Sequence, residues 1–127
     1  MQISITHVDV FDGEVLAAAL EKLRGSVDGV AVVALDHPSV REAINELANA
    51  GTTVVTLVSD VPRAIRAHYV GIDNSAAGRT AASLLGRFLG SSRGKVGLIA
   101  GSVALRDHIE RQLGFEQVMS RDFPELA

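Results

Sequence analysis

Apolar residues along this chain alternate between short continuous runs and longer stretches with helical spacing. Ile3, Ile5 and Val8, with Val10 and Phe11 beyond, predict a first strand. Asp12 and Gly13 then open a helix with apolar positions at Val15, Leu16, Ala19, Leu20 and Leu23, stopped by Gly25. Gly29 to Leu35 (GVAVVAL) is a continuous apolar run of strand length. Such runs suit strands buried on both faces of a parallel sheet. Pro38 fits a first helical turn. Val40, Ala43, Ile44, Leu47 and Ala48 follow on one helix face, closed by Gly51. Thr52 to Val58 (TTVVTLV) predicts another β-branched, buried strand.

The segment from Ser59 to His68 is polar, contains Pro62, Arg63 and Arg66, and reads as a loop. Tyr69 to Ile72 predicts a short strand, and residues 75–90 a helix with a stripe of Ala77, Ala81, Leu84, Leu85 and Phe88. Lys95 to Ala100 predicts a sixth strand, and Leu105, Ile109 and Leu113 mark a final helix. Strand and helix alternate throughout, which argues for an α/β fold of parallel-sheet βαβ layers. The one plausible boundary falls near residues 70–74. The chain opens directly on a strand and stops just after a helix, so the expectation is an incomplete sheet.

Composition narrows the function classes. With 127 residues the chain fits one small domain. Hydrophobic residues at 47% and charged residues at 21% indicate a globular protein, and aromatics at 4% leave the core to Val, Leu, Ile and Ala. A net charge of -3 without a basic run offers no nucleic-acid-binding surface. With no cysteine, disulfides and thiolate chemistry are excluded. No apolar run reaches membrane-span length, so no membrane partner is expected. The first residues lack the features of a signal peptide, which points to the cytoplasm or to an N-terminus lying further upstream.

The candidate chemistry is polyhydroxyl binding. Sugars are held by planar polar side chains that reach two hydroxyls at once, and Asp, Asn and Arg do this best. In open α/β sheets the site lies beyond the carboxyl ends of strands. Asp36 follows GVAVVAL, Ser59 and Asp60 follow TTVVTLV, and Asp73-Asn74 follows YVGI. Each has a structural alternative. Asp73 and Asn74 can cap the following helix, Asp60 can hold the turn before Pro62, and Asp36 can start a turn before His37-Pro38. Arg111 can be a helix-surface arginine paired with Asp107 or Glu110. His7, His37, His68 and His108 fall in no metal-ligand spacing. No G-x-S-x-G, P-loop or G-x-G-x-x-G motif accompanies them, so no enzyme and no cofactor is expected. Gly71, Gly78 and Gly86 suit turns and close helix packing, and Arg63 and Arg66 suit a solvated loop face.

Taken in order, VDGVAVVAL (27–35), NAG (49–51), TVVTLVSD (53–60), YVGIDNSAAGRTAASLL (69–85), KVGLIAGS (95–102) and RQLGF (111–115) resemble the effector-binding domain of LacI-family transcription regulators. The most specific elements are GIDN-x-x-AG and G-x(9)-R-x-x-GF. The resemblance implies a partial type I periplasmic-binding-protein-like fold with flavodoxin-like lobes. Residues 1–70 would be most of the first lobe and 71–127 the start of the second, with the ligand held in a cleft between lobes. It implies a sugar-like effector contacted by Arg111; Asp73, Asn74, Asp60, Ser59 and Asp36, placed at strand ends, are the further candidate contacts. It also implies a homodimer that meets operator DNA through an upstream helix-turn-helix absent from this sequence. The binding component of a sugar importer has the same fold and is the alternative. With the family's first strand missing, residues 2–8 must pair with 29–35, pair with another chain, or stay loose.

Overall fold

The computed structural model describes residues 2–9, 11–90 and 93–126. They divide into two compact units between Gly71 and Ile72.

In the first unit, helix α1 (Gly13–Glu21) starts at Asp12, whose carboxylate accepts the Glu14 and Val15 amides at 3.0 and 3.1 Å. These are two of the donors that a helix start leaves without an internal partner. Strand β1 (Gly29–Val32) leads to α2 (Pro38–Asn49), then β2 (Thr53–Leu57) and β3 (His68–Val70). The sheet order is β1-β2-β3 and both pairings are parallel, with Gly29 opposite Thr53 and Val55 opposite His68. Pro38 occupies the start of α2, and His37 caps it by accepting the Ser39 amide at Nδ1, 3.3 Å away. The face of α2 read from the sequence is the buried one: Val40, Ala43, Ile44 and Leu47 are each at most 2% exposed. They pack with Leu16, Ala17 and Leu20 of α1 and Val54 of β2 in one core. Fully burying each of the Val, Ile and Leu side chains among them contributes about 1.5–3 kcal/mol.

Three expectations for this unit need correction. Ladder pairing in β1 ends at Val32, although Ala34 and Leu35 stay buried beyond it. The strands are not covered on both faces. β2 alternates, with Val54 and Thr56 buried and its other residues partly or fully exposed. The first strand does not form: residues 2–9 pair with nothing in the sheet, and Ile3 and Ile5 are exposed. Val10 lies outside the described residues. An extended segment becomes a strand only where a neighbour shares its backbone hydrogen bonds, and no described strand of this chain does so here.

The second unit is built from helices α3 (Asn74–Leu89) and α4 (Arg106–Asp122), followed by a 3₁₀ turn at Pro124–Leu126. Its core is Ala82, Val118, Met119 and Leu126, with Val96, Phe115 and Phe123 packed against it. The helices approach closely because glycines line the contact. A Cβ on Gly78 would overlap the Arg111 and Phe115 backbones, and one on Gly114 the Ser75 backbone. Gly86 likewise makes room for the Phe123 ring.

That contact changes the sequence-based facing of α3 and of most of α4, where only Leu105 of the expected stripe is buried. The buried side of α3 is Asn74, Gly78, Ala82 and Gly86, while Leu84 and Phe88 of the predicted stripe are exposed. On α4 the buried side includes Gly114, Val118 and Met119, and Ile109 and Leu113 face outward. Apolar periodicity marks a stripe but gives no weight to glycine, which here sets the helix contact. Lys95 to Ala100 does not form the sixth strand, and Leu98 and Ile99 are exposed. Among the described residues this unit holds no strand for it to pair with.

Candidate functional site

Two separate groups of polar residues carry the candidate chemistry, one in each unit. In the first, the chain leaves β2 through a strained turn. Val58 adopts φ 62°, a left-handed conformation that is unfavourable for a β-branched residue. The turn is pinned by the Val58 amide donating to Val70 O (2.9 Å) and by the Tyr69 hydroxyl donating to Val58 O (2.8 Å). Ser59 is buried, and its Oγ has no hydrogen-bond partner among the described residues. Unpaired buried hydroxyls are uncommon and mark a point where a ligand or solvent molecule can bind.

Asp60 is engaged on both oxygens. Arg66 donates from Nε to Oδ1 at 2.7 Å and from Nη2 to Oδ2 at 2.6 Å, and the buried Thr56 hydroxyl adds a bond to Oδ1 at 2.7 Å. The Arg66 hydrogen bonds, with lesser help from Thr56, hold the Asp60 carboxyl below its ordinary range despite partial burial. The same bond raises the Arg66 guanidinium. Arg66 is therefore a partner inside the loop rather than part of a solvated face, and Asp60 fills the turn-anchoring role. Asn45 on α2 fixes this loop from the other side by accepting the Ile65 amide at 2.7 Å. Asp36, beyond β1, accepts Arg41 Nη2 at 2.9 Å.

In the second unit Asp73 and Asn74 divide the work. Asp73 is the N-cap of α3 and accepts the Ala76 amide at 2.8 Å. Asn74 is buried, and its Oδ1 accepts Arg111 Nε at 2.8 Å. This bond ties Arg111 to the N-terminus of α3, and the expected i,i+4 pair with Asp107 is present beside it. Glu110 pairs with Arg106 instead.

Asp107, which sequence reasoning offered only as a surface partner for Arg111, is a buried carboxylate. Its side chain is 5% exposed, and Oδ2 lies 3.8 Å from Arg111 Nη2 and 3.7 Å from His108 Nε2. Oδ1 has no hydrogen-bond partner among the described residues. Four-residue spacing to Arg111 was the available signal, but spacing does not report burial. Asn74, Asp107 and Arg111 thus converge within one unit. They combine an amide, a guanidinium and a carboxylate with an open acceptor, a set suited to neutral polyhydroxyl groups. Among the described residues no cluster of His, Cys, Asp or Glu is arranged to hold a metal ion. No helix there is long and apolar enough to cross a membrane.

Comparison with known proteins agrees with this architecture. A search of curated proteins returns no match. A solute-binding protein of an ABC transporter from Burkholderia graminis, solved in complex with D-arabinose, superposes with TM-score 0.84 at 26% identity over 91% of this chain. A glucose-galactose binding protein from Geobacillus stearothermophilus gives 0.73 at 28% identity over 85%. A candidate LacI transcriptional regulator from Bacteroides fragilis gives 0.81 over 96%; at 21% identity it supports the fold alone. The chain spans 40%, 39% and 44% of the lengths of these three proteins, respectively. A family model described as a periplasmic binding protein domain matches residues 8–127, and the chain belongs to that family.

Proposed function

We propose that this chain is part of the ligand-sensing domain of a LacI-type transcription regulator that binds a small sugar-like effector. The observation that carries the ligand class is the Asn74–Arg111 bond beside the buried Asp107 carboxylate. Family membership and the D-arabinose complex of the Burkholderia relative support a carbohydrate. On this reading Arg111, Asn74 and Asp107 contact hydroxyls in the second unit, and Ser59 offers its unpaired Oγ in the first. Asp73 caps α3, and Asp60 and Asp36 mainly hold Arg66 and Arg41. The protein would be a cytoplasmic homodimer without catalytic activity, and an upstream helix-turn-helix would read operator DNA. Effector binding would then alter operator affinity through a coupling free energy between the two sites.

The wording Asp73-Asn74-Ser-Ala-Ala-Gly-Arg79 favours the regulator. The ABC-transporter solute-binding protein at 26% identity and the glucose-galactose binding protein at 28% favour the second reading, an ABC-importer binding protein. The test is to express the gene's complete product and titrate it with D-arabinose, D-glucose and D-galactose by calorimetry. Operator-fragment binding is then measured with and without the sugar that binds. A sugar that changes DNA affinity supports the regulator. Sugar binding with no DNA affinity, in a product that carries a secretory signal, supports the importer.

A further inference from the structure

The start of α4 is closed by an unusual device. Its N-cap, Leu105, has no side chain able to accept a helix N–H. Instead His108, in the first turn, reaches back and accepts the Ser102 amide at Nδ1, 2.9 Å away. The Ser102 hydroxyl in turn accepts the Ala104 amide at 3.1 Å. Gly101 lets the imidazole lie flat against the chain, since a Cβ there would overlap the ring. A histidine nitrogen accepts a hydrogen bond only while it carries no proton. This contact requires the Nε2–H tautomer, and Nε2 is the nitrogen 3.7 Å from Asp107 Oδ2.

We propose that His108 is a positioning residue: a proton-sensitive clasp that holds residues 101–105 against α4 and orients the Asp107 carboxylate. Protonation removes the Nδ1 acceptor and sets two N–H groups facing each other at Ser102. It also places a cation in the first turn of a helix, where the helix dipole disfavours it. Asp107 offsets part of that effect and is drawn toward the imidazolium. The other charges near this turn are Arg106, paired with Glu110, and Arg111, i+3 from His108. Residues 101–105 carry no ionisable side chain, and α3 brings Asp73, Arg79 and Arg87. None of these three forms a described ion pair with His108. The consequence for sugar capture rests on the reading of Asp107 above, but the clasp itself can be observed without any sugar.

The test is NMR on the full 127-residue chain between about pH 8 and pH 5, the range in which imidazoles ordinarily titrate. The His108 ring nitrogens and the Ser102 amide are followed together. The clasp predicts the Nε2–H tautomer at high pH. It also predicts a Ser102 exchange protection that falls on the order of tenfold or more in step with His108 protonation. His108→Asn keeps an acceptor and should retain protection at every pH, whereas His108→Phe should lose it at every pH. A neutral Nδ1–H tautomer, or Ser102 protection that ignores His108 protonation, overturns the proposal. If Ser102 responds as expected while the complete protein binds no sugar, the clasp stands and the sugar-sensing reading fails.

Discussion

Arg111 donates from Nε to Asn74 Oδ1 at 2.8 Å, joining two residues 37 positions apart. Asn74 opens α3, and Arg111 lies on α4 within its contact with α3. The glycine contacts and the polar contact share this stretch. The Arg111 carbonyl occupies the space a Gly78 side chain would need.

Replacing Asn74 with Ala should free the guanidinium. A lost hydrogen bond to a charged group corresponds to about 1.5–3 kcal/mol. Sugar affinity of the complete protein should drop on the order of tenfold, as about 1.4 kcal/mol implies. Calorimetry checks this, and unchanged affinity would show that Arg111 needs no anchor.

Gly78→Ala and Gly114→Ala should each destabilise the second unit by about 1–3 kcal/mol, because the methyl would have to displace helix backbone. Denaturant melts followed by circular dichroism give the answer. Midpoints equal to the parent's would mean that the helices are less tightly apposed.

These glycines also mark the limit of what the sequence conveyed. The α2 face from Val40 to Leu47 was legible because four aliphatic residues sit at helical spacing against one sheet. The stripe at Leu84 and Phe88 is equally periodic, yet it lies on the exposed side of α3. The first and sixth predicted strands, at Ile3–Phe11 and Lys95–Ala100, had apolar patterns but no partner strand, and pairing is not a local property. At the site, residue type and position at strand ends singled out Asp73, Asn74 and Arg111. The Asp60–Arg66 fork and the burial of Asp107 depend on loop geometry that spacing alone does not encode.

Asp60 should contribute to acid sensitivity. Its folded-state pKa lies below the ordinary 3.8, chiefly through Arg66. The contribution is therefore present above the unfolded value and is lost as pH falls through the folded one. Asp60→Asn should lower stability at neutral pH and flatten the stability profile below about pH 4. A variant with an acid limb parallel to the parent's would assign that loss to other carboxylates.

Large apolar side chains remain exposed, among them Phe88, Ile99 and Ile72. So much exposed apolar surface favours association, and light scattering at high micromolar concentration should give the mass of a dimer. Phe88→Glu should shift it toward the monomer. A parent chain that is already monomeric at that concentration would contradict the expectation.

The central claim is that Arg111 contacts a sugar. It is tested most directly by titrating the complete protein and its Arg111→Ala variant with D-arabinose, D-glucose and D-galactose, alongside thermal melts of both. The account predicts that one of these sugars binds the parent and that the variant loses at least about tenfold in affinity, roughly 1.4 kcal/mol, while still melting as a folded protein. Equal affinity in the two proteins, or no sugar binding by the parent, would contradict it.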